Sequence, residues 1–436
     1  MNGLCSAVMP HILRKIWHMP GLCFWALTMC LCYPEMLPEF DYIAPIYAEW
    51  EGQMMTSVGE AGIPVFMVEF QDVAFGDSCV SQSELEEWFY TGDDSIASYY
   101  NVSSSGRLKI EGDIYYYTAE GTIGSYETGE ALEDLIQEVL AFFDDEVDFS
   151  QYDKNGDGFL DALILSVPSG GDAGFWWAAQ HFWYLNPEYE IDGVGLLYYL
   201  VNDEQPSPET RHFFLGTLEH ELGHCMGLPD YYKYQYTGTD YEGLHGPAGK
   251  ERMDDSQGDF CQFSKLQLGW LTEGDVWIMP DSADRATFFL PPVKDGGCLL
   301  IFPKGAEPDL QSEYFLVEYN TPEELQKGLF TRGGVRILHV QAEVIQDESG
   351  YYEYKYANYS PYYDTSNNGI RILKLVNDGK GFLQPGDIVT YQNTGGEEGN
   401  FGWYTEDGRI TDPGFSIRIG NLWLNGLMEV EVIWED

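Results

Sequence analysis

Residues 220–230 read His-Glu-Leu-Gly-His-Cys-Met-Gly-Leu-Pro-Asp, and this run constrains the fold and chemistry more tightly than the rest of the chain. His220 and His224 lie four apart. On a helix that spacing puts both imidazoles on one face, one turn apart, where they can grip one metal ion. Glu221 sits between them and can reach water at that metal. Gly227 lets the helix end, and Asp230 then falls where a third ligand would return. Two imidazoles and a carboxylate are a zinc ligand set that leaves one position open. His-Glu-x-x-His would arise by chance in roughly one such chain in a hundred, and adding Gly227 and Asp230 lowers this to about one in ten thousand. The run is therefore the place to look for chemistry.

The other numbers bound the setting. A chain of 436 residues can hold two or three domains with sizeable cores. At 44% hydrophobic and 15% aromatic residues it folds as a globular protein. Asp and Glu outnumber Lys and Arg by 72 to 22, a net charge of −50. Such a surface repels nucleic acid and anionic membranes and favours cations.

Four of the eight cysteines (Cys5, Cys23, Cys30, Cys32) lie in a leader-like N-terminus. Arg14 and Lys15 precede an apolar run from Gly21 to Cys32, long enough for a signal h-region and too short to span a bilayer. No small-x-small cleavage site follows. Leu31 before Cys32 makes a poor lipoprotein box, and Met9 offers an alternative start. The expectation is an export signal over residues 1–38 and a secreted, extracellular protein. Cys79, Cys225, Cys261 and Cys298 are too scattered for a disulfide framework or a paired-Cys zinc site, although one disulfide among them is open. Cys225 reads as a packing residue.

Residues 39–275 read as a mixed helix and strand domain. Ile63 to Phe70 is a buried strand, and Ser81 to Tyr90 a helix with a Ser cap. Ser95 to Tyr100 is helical, and Arg107 to Tyr117 alternates as a strand. Gly129 to Phe143 is a helix with Leu132, Leu135, Ile136, Val139 and Leu140 on one face. Pro208 to Met226 carries the motif, with Leu215, Leu218 and Leu222 toward the core. Glu219 reads as solvated. Phe263 to Leu268 is a short helix ending at Gly269. Beyond about residue 275, short β-rich runs alternate with Gly, Pro, Asp and Asn turns: Cys298–Phe302, Tyr314–Tyr319, Val335–Val340, Ile370–Leu375 and Leu427–Trp434. Residues 276–436 read as an all-β, sandwich-like domain. His181, His245, Glu318 and His339 read as structural residues, and His212 lies too far along the motif helix to share the ion.

A second metal signal precedes the motif. Asp153, Asn155 and Asp157 alternate with Lys154 and Gly156, and Gly158 follows. Oxygen side chains at alternate positions followed by Gly form the first half of an EF-hand-type calcium loop. Asp153, Asn155 and Asp157 would offer side-chain oxygens, Phe159 its carbonyl, and Asp161 a carboxylate directly or through water. Ile164 stands where the acidic twelfth position belongs, so a full EF-hand is excluded. A calcium-stabilised turn and an ion-free Asx/Gly turn both fit the residues.

The extended signature His-Glu-x-x-His-x-x-Gly-x-x-Asp resembles metzincin-type zinc peptidases whose third ligand is Asp, and more narrowly the M6 (immune inhibitor A-like) metalloproteases. Pro64 to Asp72, Tyr99 to Leu108, Phe149 to Asp161, Gly258 to Trp270, Ser312 to Tyr319 and Gly333 to Val340 resemble further family segments, so the likeness spans about residues 60–340. It implies an α+β zincin/metzincin-like catalytic domain followed by the β domain. It also implies His220, His224 and Asp230 as zinc ligands, Glu221 as catalytic base, and Met253 as the Met-turn residue beneath the metal. The chain departs from the pattern at Asp255, where some metzincins place Tyr. The short stretch ahead of the first core strand also leaves little room for a latency propeptide.

The expected function is a secreted zinc endopeptidase, with zinc and a second candidate ion, calcium. Its partner would be a protein or peptide substrate, with no nucleic acid and no stable membrane insertion after leader removal, and the chain would be a monomer. Two alternatives stand beside it: a catalytically silent, calcium-stabilised binding or adhesion protein on a peptidase fold, and a zinc hydrolase of non-peptide bonds.

Overall fold

A computed structural model describes residues 54–172, 175–234, 241–244, 246–346, 352–356, 358, 369–377 and 379–435. The leader expected over residues 1–38, its four cysteines and His245 lie outside the described residues.

The N-terminal half is built on one five-stranded sheet. Its strands are β1 (Val65–Glu69), β2 (Ile114–Thr118), β3 (Leu163–Ser166), β4 (Ala179–Phe182) and β5 (Tyr198–Asn202), in the order β2-β1-β3-β5-β4. The first four run parallel, and β4 is an antiparallel edge. Strand alternation divides the side chains between two cores. Phe66, Val68, Leu163, Leu165, Tyr199 and Val201 pack on one side with Leu132, Leu135, Ile136, Val139 and Leu140. Those five belong to α3 (Gly129–Phe143), which follows the short α1 (Gln82–Glu86) and α2 (Ile96–Ser103). Thr128 caps α3 by accepting the Ala131 N–H at 3.2 Å. Each α3 side chain so buried contributes about 1.5–3 kcal/mol. On the other side Val65, Met67, Ile164 and Leu200 pack with Phe214, Leu215, Leu218 and Leu222 of the motif helix α4 (Arg211–Cys225).

The alternating run Arg107 to Tyr117 is not one strand. Leu108–Glu111 pairs with Gly59–Gly62 in a separate ladder, and only Ile114–Thr118 joins the main sheet. The break falls at Gly112, where a Cβ would stand 2.1 Å from the Ile63 carbonyl oxygen. The helix expected over Ser81 to Tyr90 is α1 followed by a π-helical turn, Glu87–Thr91.

Two short helices, α5 (Arg252–Asp255) and α6 (Gln262–Gln267), lead into the β-rich half. There β6 (Val276–Ile278), β8 (Cys298–Ile301), β9 (Glu313–Asn320), β10 (Gly334–Gln341) and β11 (Leu373–Leu375) form one sheet in that order. The other sheet runs β7 (Arg285–Leu290), β14 (Met428–Trp434), β13 (Phe415–Leu422), β12 (Ile388–Val389). The chain is thus mixed α and β, with its strands concentrated toward the C-terminus. Leu299, Ile301, Phe315, Val317 and Ile337 face Phe415, Ile417, Val430 and Val432 across the two sheets. The opposite face of the first sheet, with Leu300, Tyr314, Leu316, Leu338 and Val340, enters the same core as Leu222, Met253, Phe260 and Phe263. The two halves therefore share a hydrophobic core, and α4 lies between the N-terminal sheet and this second layer.

The cysteines Cys79, Cys225, Cys261 and Cys298 are unpaired, so none forms the disulfide left open by the sequence. No helix among the described residues is long and apolar enough to cross a membrane.

Candidate metal centre

Helix α4 ends at Cys225, and Gly227 takes a left-handed conformation (φ 93°) that turns the chain back. The Leu228 N–H donates to the Gly223 carbonyl at 3.1 Å, closing the helix end. Pro229 and Asp230 then run back along the face that carries His220 and His224. Three ligand atoms meet there. His220 Nε2 lies 3.0 Å from Asp230 Oδ1, His224 Nε2 lies 3.2 Å from the same oxygen, and the two Nε2 atoms are 3.1 Å apart.

The opposite ring nitrogens decide what these atoms are. His220 Nδ1 lies 2.9 Å from the Arg252 carbonyl oxygen, and His224 Nδ1 lies 2.7 Å from that of Leu228. A carbonyl only accepts, so each Nδ1 carries a proton, and in the neutral imidazole each Nε2 presents a lone pair. Two lone pairs and a carboxylate oxygen at such spacing repel one another unless a proton or a metal cation lies among them. Burial pulls the His224 pKa down, yet the Asp230 carboxylate outweighs it and lifts it to about 9. Burial would raise Asp230, but the His224 and His220 imidazoles hold its carboxyl well below the usual carboxylate range. Both shifts express one demand for positive charge. Ligand atoms around a tetrahedral zinc with bonds of about 2.0–2.1 Å stand roughly 3.3 Å apart, close to this triangle. The residues present fit zinc.

Glu221 places a carboxylate oxygen within 4.8 Å of the ligand atoms of both histidines. It is almost fully buried, and its Oε2 accepts the Gln180 N–H at 2.7 Å. Gln180 lies in β4, so the carboxylate stands at the open side of an edge strand. Met253 is completely buried beneath the motif helix. A Cβ on Gly223 would stand 2.6 Å from Met253 Sδ, so the first glycine of the motif run is the reason the helix can sit this low.

Sequence reasoning missed the supports of this cluster, and it misread Glu219. That residue is not solvated: it is buried and pairs with Arg252 at 2.8 Å. Burial raises its pKa to about 7 against the pull of Arg252. Arg252, also buried, donates to Tyr99 Oη, to the carbonyls of Gly216, Ser256 and Gly258, and to Glu219, while its own carbonyl holds His220. Glu251 accepts from the backbone N–H groups of Met253 and Cys261, fixing the turn at Met253. No periodicity or spacing in the sequence signals these partners.

Most of the remaining residues lie apart from the cluster. Asp255 pairs with Lys250. Tyr231 is buried with its hydroxyl 2.9 Å from Ser264 Oγ, whereas the Tyr232 ring stacks on His220 with centroids 6.2 Å apart. His181 stacks on Tyr199, His212 is exposed, Glu318 pairs with Arg336, and His339 lies 2.7 Å from Glu313. Asp153, Asn155, Asp157, Phe159 and Asp161 form a separate loop that leads into β3.

No protein-family profile matches the chain, and no curated sequence is significantly similar to it.

Proposed function

We propose that this chain is a zinc-dependent endopeptidase of the metzincin type, akin to the M6 (immune inhibitor A-like) metalloproteases, acting outside the cell. The observation that carries the reading is the triangle of His220 Nε2, His224 Nε2 and Asp230 Oδ1, with Glu221 beside it. When bound there, zinc supplies Lewis acidity, polarising the scissile carbonyl and lowering the pKa of the attacking water.

The chain's own residues do the rest. The backbone N–H of Gln180 holds Glu221 Oε2, which leaves Oε1 to take the water's proton and to deliver it to the leaving amine. The outer edge of β4 offers backbone groups to an extended peptide, which is how an edge strand accepts a substrate as an added strand. That favours a peptide bond over other hydrolysable bonds.

The test is digestion of an unfolded protein such as casein by the zinc-loaded chain and by Glu221→Gln. The expected result is cleavage by the wild type, a loss of at least about 10³-fold in the variant, and an unchanged zinc content. A variant as active as wild type overturns the assignment of Glu221. A wild type that holds zinc and cleaves nothing favours the silent binding protein.

A further inference from the structure

The loop that leads into β3 carries a buried charge that the zinc chemistry does not use. Asp161 is 4% exposed, and its Oδ1 has no hydrogen-bond partner. Its Oδ2 accepts from the Gly62 N–H at 2.7 Å and the Lys154 N–H at 3.1 Å, so the carboxylate lies inside the loop. Burial raises its pKa to about 7, with Asp157 and Asp153 adding repulsion against those two amides. The loop's one lysine does not compensate it, because the Lys154 ammonium is paired with Glu111.

The rest of the loop is wound for oxygen ligation. Gly156 and Gly158 have φ of 74° and 90°, which lets the chain circle Asp153. Asp153 Oδ1 accepts from the Gly156 and Asp157 N–H groups, and its Oδ2 from Gly158 at 2.9 Å. Asp157 Oδ1 accepts from Phe159 at 2.9 Å, and Asn155 Oδ1 accepts from Asp157 at 3.0 Å. A carboxylate or amide oxygen has two lone pairs, so Asp153 Oδ2, Asn155 Oδ1 and Asp157 Oδ1, which each take one backbone amide, can still bind a cation. Gly158 and Leu160 bond to Gly195, which turns the Phe159 carbonyl away from that contact.

We infer that Asp153, Asn155, Asp157, the Phe159 carbonyl and Asp161 Oδ1 bind one calcium ion. Asp161, the ninth residue of the loop, takes the place of the acidic twelfth residue that a helix would have supplied. Five protein oxygens on an irregular turn, with water completing six to eight, suit calcium. Magnesium demands near-ideal octahedral geometry and keeps most of its water. The ion would clamp the entry to β3, which lies between β1 and β5, and through Gly62 the approach to β1. Its role is stability of the sheet beneath α4, independent of the zinc chemistry.

The experiment is thermal unfolding of the full chain, dialysed against EGTA, with calcium or magnesium added. Calcium at about 1 mM is expected to raise Tm by roughly 3–8 °C, and magnesium by much less. Asp157→Asn sits on the exposed rim and keeps an acceptor for the Phe159 N–H, losing only the contact from the Asn155 amide, so it should fold normally and weaken calcium binding at least about tenfold. Asp161→Asn should abolish the calcium shift and raise Tm in EGTA, because it removes a buried unpaired charge. No calcium shift in the wild type, an equal shift with magnesium, or a full shift in Asp157→Asn overturns the inference.

Discussion

Arg252 joins the metal cluster to the interior. Its carbonyl orients His220 at 2.9 Å, and its guanidinium sits among four oxygen acceptors and the Glu219 carboxylate, all within 3.2 Å. Removing one partner of a buried ion pair leaves an uncompensated charge. Arg252→Met should therefore destabilise the chain by about 3–5 kcal/mol, read from urea unfolding at neutral pH. It should also weaken zinc binding by about 10–100-fold, because the carbonyl that fixes the His220 tautomer loses its anchor. A loss below about 1 kcal/mol with unchanged zinc affinity would show that this pair does not position the site.

Strand β4 makes the corresponding claim at the level of an element. Its Gln180 N–H points to Glu221 and away from the ladder with β5. Proline is tolerated on an edge strand where the N–H faces outward. Gln180→Pro should thus keep the fold while lowering kcat/KM by about 10–100-fold, the worth of one hydrogen bond to a charged group. An unchanged kcat/KM in a folded variant would contradict the role given to this edge. Elements were legible where local signals sufficed. Helix α3 has the bounds its apolar period and Thr128 cap imply, Gly129–Phe143. That His220, His224 and Asp230 meet was legible for the same reason, since Gly227 brings Asp230 back within ten residues of His220. Glu219 was not, because α4 is packed between two layers and has little exposed face for a charge to occupy. Gln180, Arg252 and Tyr99 reach the site over 41, 32 and 153 residues of sequence, through contacts that no local pattern encodes. The single strand expected over Arg107 to Tyr117 failed at Gly112 for a similar reason, since its neighbour Ile63 is remote in sequence.

Across the whole molecule, the helix carrying His220 and His224 is held from three directions. The N-terminal sheet packs on one side of α4, Met253 and α6 lie beneath it, and the inner face of the β-rich half closes the same core. The Arg336 guanidinium on β10 donates to the carbonyls of Ala248 and Lys250, just ahead of the turn at Met253. The β-rich half therefore acts as a wall of the half that carries the motif. A net charge of −50 surrounds this packing, and a buried cluster calling for positive charge is set within it. The proposed hydrolytic function depends on that cluster holding a metal. Zinc stoichiometry, measured by elemental analysis on the purified full chain and on Asp230→Ala, tests this most directly. The account predicts about one zinc per wild-type chain and well under half of that in the variant. A wild type without zinc, or a variant that retains it in full, would contradict it.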